Sequence, residues 1–144
     1  MKKIFITILA IAMVQSVFSQ DKMVGLTFEY ETFSRGFYHK IKVEKGTLLF
    51  QENRSESDGT IIDIDKKQWK KLVDWVKKIK LEHLSLLKAP TNKREVDGAA
   101  FAKLKVFTNG KEYVSSNFDH GNPPLEIKGL VENIIALSQL GKKD

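Results

Sequence analysis

Cysteine does not occur in the 144 residues. Its absence excludes a disulfide framework, a lipid-modified cysteine behind a leader, a thiolate metal site and a cysteine nucleophile. Stability has to come from a packed core. Long apolar runs are nearly absent as well. Residues 4–14 form the longest, and its eleven positions fall short of the roughly 20 that a helix needs to span a bilayer. Histidine occurs only as His39, His83 and His120. No G-x-S-x-G, Walker loop, glycine-rich dinucleotide fingerprint or H-E-x-x-H is present, and no serine sits in a recognisable nucleophile setting.

What is there balances as one globular domain. The chain is 42% hydrophobic and 29% charged, apolar enough for a core and too apolar for a disordered tail. Met1-Lys2-Lys3, the apolar run over 4–14 and the polar segment 15–19 have the three regions of a secretory signal peptide. Val17 and Ser19 fit the small-residue rule, which predicts cleavage before Gln20. The expected division is a signal peptide over 1–19 and one domain over 20–144, exported to the periplasm or beyond the cell, with no transmembrane segment after cleavage. Net charge is +6, and removing Lys2 and Lys3 leaves +4, an excess that serves solubility and favours acidic partners.

Along the domain, Val24, Leu26, Phe28 and Tyr30 alternate with polar residues, the period of a half-buried strand. Ser34-Arg35-Gly36 interrupts the pattern. Phe37, His39, Ile41 and Val43 then alternate up to the turn Lys45-Gly46, which predicts Val43 opposite Leu48, Ile41 opposite Phe50 and His39 opposite Glu52. Asp65 before Lys66-Lys67-Gln68 reads as a capping box opening a helix with a stripe of Trp69, Leu72, Val73, Val76 and Ile79. Residues 88–98 are a long polar connection of the kind that carries function. Asn109-Gly110 supplies a type I′ turn, setting Val106 opposite Tyr113, Leu104 opposite Ser115 and Phe101 opposite Phe118. Asn122 is placed to cap a second helix with the stripe Ile127, Leu130, Val131, Ile134 and Leu137, ended by Gly141. The predicted fold is α+β: an antiparallel sheet of about five strands in two hairpin groups, with helices over 66–80 and 125–140 on one face, in the order βββα-ββα.

The chemistry-bearing residues collect where residues 94–97 and 117–122 flank the same strand pair. Asp119 beside His120 could orient an imidazole for general-base work, Asp97 could share that task, and Arg94 could grip a carboxylate or phosphate. The candidate ligand-binding set is therefore Arg94, Asp97, Asn117, Asp119 and His120, with His120, Asp119 and Asp97 as the catalytic candidates. The structural account of the same residues is simpler: Asp119 accepts turn amides and Arg94 pins the loop. Neither His120 with Asp119 and Asp97 nor His39 with Glu52 has a diagnostic metal-ligand spacing, so no metal and no cofactor is assigned. With A-P-T-N-K-R-E-V-D-G-A over 89–99 and F-D-H-G-N-P-P over 118–124, the chain resembles small exported bacterial proteins of unknown function. That resemblance implies an exported α+β domain and no particular activity.

The expected function is a non-enzymatic binding module for a protein, peptide or envelope component, meeting its partner through the Arg94 loop and the Asp119-His120 corner. Export makes intracellular nucleic acid an unexpected partner. The alternatives are a small periplasmic hydrolase or metal-dependent enzyme using that corner, and binding of acidic polysaccharide or lipid through Lys67, Lys70, Lys71, Lys77 and Lys78 of the first helix.

Overall fold

The computed structural model describes residues 23–55 and 58–139. The signal peptide read over 1–19 and the helix-ending role read for Gly141 lie outside them. One antiparallel sheet holds seven strands: β1 (Thr27–Ser34), β2 (Phe37–Glu44), β3 (Thr47–Gln51), β4 (Gly59–Asp63), β5 (Phe101–Thr108), β6 (Lys111–Val114) and β7 (Phe118–Asp119). The spatial order is β4-β3-β2-β1-β5-β6, with β7 also paired to β5. Two helices, α1 (Lys66–Val76) and α2 (Leu125–Gln139), are accompanied by 3₁₀ turns at Leu81–Leu86 and Lys93–Val96. The α+β class and the antiparallel sheet agree with the sequence reading. The strand count does not.

Both added strands have a physical reason. β4 has no alternating pattern of its own and is largely exposed, with Ile61 at 69%. It is a strand because β3 offers it a ladder, Leu48 opposite Ile62 and Phe50 opposite Thr60. β7 arises from a bulge. The turn at Asn109-Gly110, both with positive φ, sets Val106 opposite Tyr113, and the Ser115 amide donates to the Leu104 carbonyl at 2.9 Å. Beyond that point the pairing slips by one residue, so Ala102 faces Phe118 and Phe101 faces Asp119. The predicted Phe101–Phe118 pair is thereby corrected. One extra residue among 115–117 turns Phe118 into the core, where it is fully buried.

The hairpin around Lys45-Gly46 has the predicted register, Val43 opposite Leu48 and Ile41 opposite Phe50. Alternation puts Phe28, Tyr30, Val43, Leu48, Leu104 and Val106 on one face, all essentially buried, where Leu72 and Val76 of α1 and Ile127, Leu130, Val131 and Ile134 of α2 complete the core. The opposite face carries cross-strand ion pairs: Lys40–Glu29 at 3.6 Å, Lys103–Glu31 at 3.1 Å and Lys105–Glu112 at 3.9 Å. The capping box at α1 is complete, the Gln68 amide donating to Asp65 at 2.7 Å and the Asp65 amide to the Gln68 side chain at 3.0 Å. α1 stops at Val76 rather than reaching residue 80, and the apolar residues after it enter the first 3₁₀ turn, which buries Leu84. α1 and α2 approach closely at Gly129, where any β-carbon would collide with the Trp75 ring. No helix among the described residues is long and apolar enough to cross a membrane.

Candidate functional site

The corner singled out by the sequence is built around Asp119. Its side chain is buried at 2% exposure and accepts from the Thr91 hydroxyl at 2.5 Å, the Lys93 amide at 2.8 Å, the Arg94 amide at 3.0 Å and Arg94 Nη1 at 3.0 Å. Arg94 Nη1 also donates to the Thr91 carbonyl at 2.8 Å, and its side chain is only 10% exposed. Burial alone would raise the carboxyl pKa, but the donors of Thr91, Arg94 and Lys93 outweigh it and hold Asp119 well below the usual carboxylate range. Asp119 thus caps the 3₁₀ turn at Lys93–Val96 from a distant strand and ties the long connection to the sheet. That turn has no side-chain cap of its own, since Asn92 makes none.

His120 follows Asp119 in sequence and has a different partner. Because β7 continues through Asp119, successive side chains leave on opposite faces. Phe118 faces the core and Asp119 the other side, while His120, in the turn that follows, keeps much of its surface exposed and packs its ring on Tyr30. His120 Nδ1 is 2.8 Å from the Tyr30 hydroxyl. Burial raises the Tyr30 pKa far above its ordinary value, so the phenol keeps its proton, and no other acceptor reaches it among the described residues. The direction of this bond follows the imidazole tautomer: a neutral ring with its proton on Nε2 accepts from the phenol. Burial, and secondarily the neighbouring His39, lower the His120 pKa, which favours that neutral form. His39 itself sits between Phe37 and Phe50, ring centroids 4.3 Å and 5.2 Å away.

The remaining candidates scatter. Asp97 is exposed and ends the 3₁₀ turn in the left-handed conformation at φ 57°. Asn117 is exposed on the segment containing the bulge. Asn122 was expected to cap α2; instead its side-chain amide donates to Thr91 Oγ1 at 3.0 Å. His83 is exposed in the first 3₁₀ turn. The structure brings Arg94 and Asp119 together, and His120 pairs with Tyr30 instead. Among the described residues no three His, Asp or Glu side chains converge as metal ligands would.

The other end of the sheet holds a feature that sequence reasoning missed. Where β1 begins, β2 turns into β3 and β5 turns into β6, a groove of about 1220 Å³ runs between the sheet and α1. Trp69, Val73 and Lys77 form its helical wall, four residues apart on one stripe. Leu26, Thr108 and Tyr113 come from the sheet side, Ile79 and Leu81 from the segment after α1. Three members of the predicted α1 stripe, Trp69, Val73 and Ile79, are only half-buried because they line this groove. The signal was present in the stripe, which is wider than two rows of a short helix need for one neighbour. Periodicity separates inward from outward and does not say whether inward means covered.

No protein-family model matches the chain, and no characterised protein matches it. Function therefore rests on these two places.

Proposed function

We propose that the protein is an exported, non-enzymatic binding module and that it takes its ligand in the groove beside α1. The carrying observation is a division of labour between the two ends of the sheet. At the corner, Asp119 and Arg94 are engaged with one another and with the backbone of 91–94, as a structural clamp is. At the other end, half-buried Met23, Trp69, Val73, Ile79, Leu81 and Tyr113 pack on the core yet keep one side open. Clefts lined by such residues with a few polar groups are the usual ligand sites of small domains. The hydrolase alternative needs Asp119 to orient His120, whereas Asp119 is engaged by Thr91, Lys93 and Arg94 and His120 Nδ1 by Tyr30.

The test is an NMR titration of the ¹⁵N-labelled protein, purified after export, with peptide, oligosaccharide and acyl-chain fractions of the host envelope. Shifts confined to Trp69, Val73 and Tyr113 are expected. Shifts at Arg94, Asp97 and Asn117 instead would return the contact surface to the corner, and turnover of any fraction would overturn the non-enzymatic reading.

A further inference from the structure

The chemistry of the groove lining narrows the ligand, an inference that rests on the binding role proposed above. Its volume exceeds the roughly 300–1000 Å³ of pockets for compact small molecules, and it is partly open to solvent, which leaves room for an extended occupant. Part of the polar lining at its sheet end is already engaged. Asn109 Oδ1 accepts from the Val24 amide at 3.0 Å, the Val24 carbonyl accepts from the Asn109 amide at 2.8 Å, and the Thr108 hydroxyl donates to that same carbonyl at 3.4 Å. A peptide entering here would find the backbone edge of Val24 and Asn109 already paired, and each unmet buried amide or carbonyl is costly. An alkyl chain asks only for the apolar wall.

Charge at the rim completes the description. Lys45 and Lys77 line the groove, both exposed, and among the described residues neither has a carboxylate within 4 Å. Lysines on the far face of the sheet behave differently, since Lys40, Lys103 and Lys105 all have glutamate partners. Glu82 is the one carboxylate of the lining, so the two lysines leave it with a net positive charge. The local potential is positive and favours an anion.

We infer that the groove binds a single-chain anionic amphiphile of the long-chain carboxylate class. The alkyl tail lies against Trp69, Val73, Ile79, Leu81 and Tyr113, and the acid group meets the ammonium groups of Lys45 and Lys77.

The experiment follows the indole N–H signals of the two tryptophans in the exported protein. Trp69 lines the groove and Trp75 packs against Gly129 outside it, so one reports and the other serves as control. Three probes are compared below their micellar concentrations: dodecanoate, dodecanol and dodecyltrimethylammonium. The expected result is a saturable shift of Trp69 alone, strongest for dodecanoate. Its affinity should fall about tenfold in Lys45→Glu/Lys77→Glu while that for dodecanol is unchanged, as loss and reversal of two exposed charge contacts would produce. No shift of Trp69 with any probe overturns both the groove as a binding site and the ligand class. Equal shifts with all three leave the groove as a site and overturn the anion preference. A response to anionic phospholipid vesicles without one to free dodecanoate identifies a membrane contact and overturns the proposal. The probe comparison decides these outcomes without relying on the double variant.

Discussion

Single side chains at the corner act as stability switches. Asp119 has a lowered folded pKa, so it stabilises fully above the ordinary carboxylate pKa of about 3.9, and that contribution is lost as pH falls through the folded value. His120, also lowered, works on the same side: the unfolded imidazole binds a proton at higher pH than the folded one, so stability declines as pH falls below about 6.5. Thermal melts should therefore fall in two stages on acidification. Asp119→Asn should remove the lower stage and speed amide exchange over Lys93–Val96 at neutral pH, because Lys93 and Arg94 donate to that carboxylate. Unchanged exchange there would show that the clamp does not hold the turn. Thr32 offers the opposite case. It is 2% exposed, opposite His39 on one side and Ala102 on the other, and its hydroxyl has no partner among the described residues. Thr32→Val should raise stability by about 1 kcal/mol, seen as a higher urea midpoint at constant slope.

At the scale of elements, helix contact and strand register matter most. Gly129→Ala gains up to about 1 kcal/mol of helix propensity but pushes a β-carbon into the Trp75 ring. Overpacking of this kind costs about 1–3 kcal/mol, so net destabilisation is expected, with a changed Trp75 emission from a ring displaced off α2. A stabilised variant would mean that the half-buried indole swings away freely. The hairpins were legible because Lys45-Gly46 and Asn109-Gly110 are local turn signals and alternation follows directly. The α1 start was legible for the same reason, since a capping box is four residues long. The bulge at 115–117 carries no such signal. Its consequence is large, because a slip of one residue reverses which face each side chain takes: it turns Phe118 into the core and Asp119 toward the 91–94 loop.

For the whole molecule, the central fact is that β1 pairs with both β2 and β5, joining the first half of the chain to the second through seven residue pairs on each side. The two hairpin groups therefore share one core and should not unfold separately. Urea unfolding followed by far-UV circular dichroism, by Trp69 emission and by Phe118 side-chain signals should give coincident transitions. A separate early loss of the α2 signals would show that the halves are independent. Sequence alone determined the class, the start of α1, the hairpin registers next to the two turns and most of the residues that make the core, because each is set by neighbours within a few positions through turn geometry, capping and period. Only the tertiary structure decided the β1–β5 pairing, the edge strand β4, the separate partners of Asp119 and His120, and the groove beside α1. These depend on which surfaces meet across long stretches of chain and on which apolar residues are left half-covered when they do, and no local pattern encodes either.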